Sequence, residues 1–126
     1  MPGVVRYLRR NDECPYSEFR ADIANTLKPK QDAEMDALVV KLGAEGSAKL
    51  QEIRKADKLN DIWELRPGRF RVLYFFDNVH QHYVLLQGFR KQTRKAPQLE
   101  VRRAEGMRND YYQRLKRREQ PWLIRN

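Results

Sequence analysis

At 126 residues, with 40% hydrophobic and 34% charged side chains, the chain has room for one domain, residues 1–126, around one core. The single cysteine, Cys14, excludes an internal disulfide and suits a reducing compartment. No apolar run approaches the ~20 residues that cross a bilayer, so a cytoplasmic protein without membrane contact is expected. The formal charge of +9 is uneven: residues 1–60 hold 11 Lys/Arg against 10 Asp/Glu, whereas residues 61–126 hold 15 against 7. A positive field concentrated in the second half suits a polyanion, because cations that neutralise phosphates release condensed counterions. A merely soluble basic surface gives the same numbers, and charge does not separate the two.

Val4-Val5-Arg6-Tyr7-Leu8 has the β-branched and aromatic character of a short strand. After Pro15, the apolar residues Tyr16, Phe19, Ile23 and Leu27 recur at helical spacing, and Lys28-Pro29 stops the pattern. From about Gln31, a second stripe of Met35, Leu38, Val39 and Leu42 predicts another helix, capped at Gly43. These two helices form a hairpin. Between Gly43 and Asp61, a short helical turn is expected around Leu50 to Arg54.

The strongest β pattern is Ile62 to Arg66, then Pro67-Gly68, then Arg69 to Phe76, then Asp77-Asn78, then Tyr83 to Phe89. Connections this short predict an antiparallel meander. Alternation places Phe70, Val72, Tyr74 and Phe76 on one face and Arg69, Arg71, Leu73 and Phe75 on the other, with one face expected to be core. Trp63 and Leu65 are likewise opposed to Glu64 and Arg66, so charged groups from two neighbouring strands share a surface. Pro97 opens a last helix with Leu99, Met107, Tyr111 and Leu115 as its buried stripe, ended by Pro121. Trp122-Leu123-Ile124 then docks on the domain or on a partner. The expected class is α+β: an N-terminal strand and helical hairpin, a twisted antiparallel meander and a C-terminal helix.

The sequence has no Gly-rich phosphate loop, no nucleophile elbow and no Cys/His cluster of metal-ligand spacing. His80-Gln81-His82 puts two imidazoles on one strand face, but without a nearby carboxylate in sequence they read as exposed hairpin histidines, and neither metal nor cofactor is expected. What remains is the basic sheet and the run Arg90-Lys91-Gln92-Thr93-Arg94-Lys95 at the end of the last central strand.

Two blocks carry a family resemblance. Lys58-Leu59-Asn60-Asp61-Ile62-Trp63-Glu64-Leu65-Arg66, continued by Arg69 to Phe76, and Leu85-Leu86-Gln87-Gly88-Phe89-Arg90-Lys91-Gln92-Thr93-Arg94-Lys95-Ala96-Pro97 resemble the central motifs of the phage-derived HigB-like family in the RelE superfamily of toxin–antitoxin toxins. The helix with Glu100 and Ala104 and the N-terminal run Pro15 to Phe19 fit the same pattern. The resemblance implies a small α/β fold with a twisted antiparallel sheet, cleavage of mRNA on the ribosome, and neutralisation by a cognate antitoxin, expected to be a small helix-turn-helix protein. It matches Arg71 to a strand arginine that contacts the scissile phosphate, Lys91 to the basic residue ending the next strand, and Arg66 and Arg90 to flanking basic positions. Glu64 stands where RelE proper has lysine.

RNA carries its own nucleophile, so a ribonuclease need only align the 2′-hydroxyl and stabilise charge on the phosphorane oxygens. The expected roles are Arg71 and Arg66 as phosphate clamp, Lys91 as transition-state stabiliser and general acid, and Glu64 as general base. Arg69, Arg90, Arg94 and Lys95 would extend the RNA track, and Arg102, Arg103, Arg108, Arg114, Lys116, Arg117 and Arg118 would face ribosomal RNA or an acidic antitoxin. Two alternatives stay open: a non-catalytic RNA- or DNA-binding module, and an antitoxin-paired regulator on the same fold.

Overall fold

The computed structural model describes residues 2–46, 53–57, 61–91 and 98–123. Its elements run β1 (Val4–Leu8), α1 (Pro15–Ile23), α2 (Pro29–Glu45), β2 (Ile53–Asp57), β3 (Ile62–Leu65), β4 (Phe70–Asp77), β5 (His82–Arg90), α3 (Gln98–Lys116) and β6 (Trp122–Leu123). The sheet order is β2-β3-β4-β5-β1-β6. From β2 to β5 each strand pairs antiparallel with the next, as the short Pro67-Gly68 and Asp77-Asn78 connections require. β1 lies parallel to β5 and antiparallel to β6, so the sheet is mixed.

The expectation that one sheet face is core understates the burial. Val72 and Tyr74 pack with Tyr16, Phe19, Met35 and Leu42 under the helical hairpin. Leu73 and Phe75 pack with Ala104, Met107 and Tyr111 under α3. Alternation along β4 therefore feeds two cores, one on each side of a shared sheet. Gly88 lets Phe19 lie flat on β5, because a Cβ there would meet the Phe19 ring at 2.3 Å.

Several boundaries differ from the sequence pattern. Arg54 belongs to strand β2, where a helical turn was expected; pairing with β3 (Ile53 opposite Leu65) completes a ladder that would otherwise leave β3 as an open edge. Leu50 lies outside the described residues. Pro29 starts α2 rather than merely stopping α1, and the Lys28 N–H is capped by Gln31 Oε1 at 3.1 Å. The helix runs through Gly43 to Gly46, which takes the positive-φ position (φ 81°). Gly43 serves close packing instead: a Cβ would lie 3.1 Å from both the Gly3 carbonyl oxygen and Val5 Cγ2. Across the hairpin, Arg20 joins Asp32 and Asp36 to Tyr16.

In α3 the buried stripe is Val101, Ala104, Met107, Tyr111 and Arg114. Leu99, expected in that stripe, is exposed; at about 100° per residue it stands ~80° off the Met107 direction. Pro97 lies outside the described residues. Pro121 does not end the helix. The chain leaves it at Arg118 (φ 62°), where the Arg118 N–H donates to Leu115 O and the Glu119 N–H to Arg114 O, a C-terminal motif that usually has glycine at the left-handed residue. Trp122-Leu123 docks on the chain itself: Trp122 pairs with Leu8 and Leu123 with Tyr7.

Two substitutions check this packing. Arg118→Gly removes the left-handed penalty of an L side chain and raises stability by about 0.5–1 kcal/mol after the entropy cost of glycine, read as a higher thermal midpoint. Gly88→Ala displaces Phe19 and lowers stability by about 1–3 kcal/mol, read by denaturant unfolding.

Candidate functional site

The site is built on a register shift in the central hairpin. Phe70 pairs with Arg90, Arg71 with Phe89 and Val72 with Gly88, but Tyr74 pairs with Leu85. Leu73 thus faces two consecutive residues, Leu86 and Gln87, and both lie on the α3 side: Leu86 in that core, Gln87 donating from Nε2 to Glu100 Oε2 of α3 at 2.6 Å. Unbroken alternation from Leu85 would send residues 87, 89 and 91 towards the helical hairpin. The bulge reverses them. Phe89 packs on the α3 side, opposite Arg71, and the Lys91 N–H donates to Arg69 O at 2.8 Å, carrying that register one residue further.

Glu64 arrives on the same face from β3, directly opposite Leu73 and diagonal to Arg71. Arg66 follows two residues later, its Nε 3.9 Å from Glu64 Oε1. The cluster is graded in depth: Arg71 is 7% exposed, the Glu64 side chain 13% and that of Arg66 34%. Glu64 and Arg71 therefore share the α3 face of adjacent strands, Arg66 lies at its edge beside Glu64, and the Lys91 backbone takes the register position opposite Arg69, two residues beyond Phe89.

Arg71 is held by main-chain oxygens. Its Nη1 donates to the carbonyl oxygens of Gly68 at 2.8 Å and Phe70 at 2.7 Å, which pins the guanidinium plane against the β3–β4 turn. Its Nε is buried without a hydrogen-bond partner among the described residues, and no carboxylate among them lies within ion-pair distance. Burial, reinforced by Arg66, pushes its pKa below the usual guanidinium value while Glu64 opposes the shift. An arginine so perturbed still carries its charge at neutral pH. The result is a fixed, partly desolvated cation beside the more reachable Arg66, an arrangement that attracts oxyanions.

The other expected RNA contacts scatter. Arg90 is paired with Phe70 and lines a cleft on the helical-hairpin side, away from Arg71; Arg69 is exposed at the turn. Arg94 and Lys95 lie outside the described residues. Arg114 is corrected from a surface contact to a structural one: it is buried, bonds Arg9 O and pairs with Glu119 and Asp110. Arg108 lies over the rings of Phe75 and Tyr112. Arg102, Arg103, Lys116, Arg117 and Arg118 are exposed.

Of the two histidines expected to be exposed, His80 is and His82 is not: His82 is buried, and both rings pack on Trp122, with centroids at 5.3 Å and 5.1 Å. Fully buried Asp77 accepts hydrogen bonds from Tyr111 Oη at 2.5 Å and His80 Nδ1 at 2.7 Å, and from the Val79 and His80 N–H groups. Burial alone would raise the Asp77 pKa, but these donors outweigh it and hold it below the ordinary carboxylate value. His82 is pushed down, by burial first and then by Arg6 and His80, and is neutral at pH 7. No group of three or more ligating side chains suited to a metal occurs among the described residues. Sequence reasoning missed Asp77 and the Gln87–Glu100 pair; Gly88 inside a strand was the available sign of a bulge.

The family model for the phage derived protein Gp49-like (DUF891) matches residues 22–109. The chain belongs to this family. The matched span covers α2, the four-strand meander and the first half of α3, and so includes Glu64, Arg66, Arg71 and Lys91. Six chains of solved structures also match. One, from the crystal structure of the toxin–antitoxin complex RelBE2 of Mycobacterium tuberculosis, is 21% identical, covering 72% of this chain and 100% of that one, with a TM-score of 0.43. No curated protein matches. No helix among the described residues is long and apolar enough to cross a membrane.

Asp77 gives a pH prediction. A carboxylate whose folded pKa is depressed contributes stability that is present above its unfolded pKa, about 3.9, and lost as pH falls through the lower folded value. Asp77→Asn therefore destabilises the protein by about 1.5–3 kcal/mol near neutrality, and its deficit against wild type shrinks below pH ~4. Urea unfolding at a series of pH values reads both.

Proposed function

We propose that this Gp49-like protein is the toxin of a type II toxin–antitoxin pair of the HigB kind, a metal-independent endoribonuclease that cleaves mRNA on the ribosome and so inhibits translation. The observation that supports the proposal is the bulge opposite Leu73: continued past Phe89, its register assigns Lys91 to the same side of the sheet as Arg71 and Glu64. Four side chains suited to phosphodiester cleavage then share one surface. The family membership and the basic second half of the chain support it.

In this mechanism Glu64 takes the proton from the ribose 2′-hydroxyl, whose oxygen attacks phosphorus. Arg71, pinned by the Gly68 and Phe70 carbonyls, supplies fixed positive charge behind the phosphate, and the more exposed Arg66 supplies the reachable fork to its oxygens. The P–O5′ bond breaks as Lys91 gives its proton to the leaving oxygen. The products are a 2′,3′-cyclic phosphate and a 5′-hydroxyl, and the chain's own groups account for every proton. By sequence position, Arg94 and Lys95 are the further cations of the phosphate track. The partners are mRNA, the ribosome and a cognate antitoxin of helix-turn-helix type, in the cytoplasm.

The test is induction of the protein in growing cells with mapping of mRNA 5′ ends. Wild type arrests growth and creates translation-dependent ends; Lys91→Ala and Arg71→Ala lower their yield by about 10²–10³-fold, while circular dichroism shows both variants folded. Arg71→Lys does not restore cleavage, because an ammonium cannot reproduce the pinned guanidinium plane. Growth arrest without new ends, or unchanged mRNA in a folded wild type, overturns the assignment in favour of a binding protein.

A further inference from the structure

On the sheet face opposite the cluster, two adjoining depressions of about 360 Å³ and 240 Å³ lie between α2 and the β3–β4 turn, sharing Glu34, Pro67 and Gly68. Together they form a groove along α2 from Gln31 to Lys41, about 15 Å at helical rise. Its reachable apolar surface comes from Leu27, Phe70, Pro67 and Ala37, with Met35 and Leu38 buried beneath it. Its rim is basic, with Arg69 and Arg90 at one end, Arg66 and Lys41 at the other, and Glu34 as the carboxylate among the lining residues. Neither Arg69 nor Arg90 has a carboxylate within ion-pair distance among the described residues.

We infer that this groove docks an acidic amphipathic segment of a partner protein, whose apolar stripe lies over Leu27, Phe70 and Pro67 while its carboxylates pair with Arg69, Arg90 and Lys41. Charge complementarity selects an acidic occupant. The floor selects a peptide over a nucleic acid: Phe70 is the aromatic residue lining it, and its ring sits edge-on to Phe19 with centroids 6.0 Å apart, so there is no run of stacking platforms for successive bases. A helix of three turns fits the available length, and burying its apolar face between α2 and the turn follows the helix-in-groove mode of peptide recognition.

The groove is also joined to the face beyond it. Arg66 lines the groove's second end and sits 3.9 Å from Glu64 in the charged cluster. A carboxylate in the groove competes with Glu64 for Arg66, so an occupant draws that side chain away from the cluster without covering it. This regulatory consequence rests on the function proposed above; the docking itself does not.

Docking is tested by fluorescence anisotropy on the full chain. The probe is a labelled synthetic peptide with Leu at helical i, i+3, i+4 and i+7 positions and Glu elsewhere. The controls are a peptide of equal composition with dispersed leucines, and an oligoadenylate of equal charge. The amphipathic peptide binds, the dispersed one binds at least about tenfold more weakly, and Arg69→Glu/Arg90→Glu weakens the peptide about tenfold or more. Arg102→Glu/Lys116→Glu, which changes net charge equally on exposed positions of α3, leaves affinity within about twofold. Equal binding of both peptides, equal weakening by the two double variants, or displacement of the peptide by oligoadenylate at equal concentration overturns the inference. So does concentration-dependent dimerisation that the Arg69→Glu/Arg90→Glu change abolishes, which assigns the groove to a second copy of the chain. Because the readout is peptide affinity, an inactive ribonuclease leaves this test intact.

Discussion

One extra residue in β5 sets which side chains can meet. A strand has two faces and a period of two, so a single insertion moves everything downstream of it to the other face. Gln87 and Leu86 share the α3 side opposite Leu73; beyond them, Gly88 turns to Phe19 and Phe89 to the α3 core. Each of these placements is energetically committed, since Phe19 fits only over a residue with no Cβ and Gln87 is held by the Glu100 carboxylate and backbone oxygen. The bulge is therefore locked from both sides of the sheet, and the backbone register that leads to Lys91 follows from that lock.

The opposite end of the same hairpin is secured by different means. Asp77 lies fully buried at the last pair of β4 and collects four donors, from the turn, from His80 and from Tyr111 of α3. A buried carboxylate is costly unless each lone pair is satisfied, and here satisfaction couples three elements: the turn geometry, the helix and, through the histidine rings set tilted and edge-on against Trp122, the strand added beside β1. Packing fixes one end of the hairpin and polar satisfaction the other. The charged cluster lies at the packed end.

Much of this was legible in the chain itself. The β4 alternation named the two faces correctly, because Val72, Tyr74, Leu73 and Phe75 are all large and apolar; what it could not tell is that both faces are covered, since Arg71 interrupts one of them and suggests solvent. Glu64, Arg66 and Arg71 come together as the strand pattern implied. The register that leads on to Lys91 is invisible to periodicity, as the bulge precedes Gly88, whose neighbour Phe19 lies some 70 residues away in sequence. The Asp77 network was hidden for a related reason: turn chemistry explains an Asp before Asn78, and nothing local reveals that Tyr111 will reach it. Arg118, an arginine standing where glycine is usual, masked the true end of α3 and let Pro121 seem to be the stop.

The place of β1 has a temporal consequence. Val4–Leu8 precedes every other described strand in the chain, yet it lies between β5 and β6, and its partners are residues 82–85 and 122–123. At typical elongation rates of roughly 5–20 residues per second, the first strand waits on the order of ten seconds for its last neighbour. Until then β5 has an open edge and Trp122 has not reached the histidines. The sheet that carries Arg71 and Lys91 is thus closed last at its β1 side, and assembly is nearly all-or-none with respect to the nascent chain rather than progressive along it.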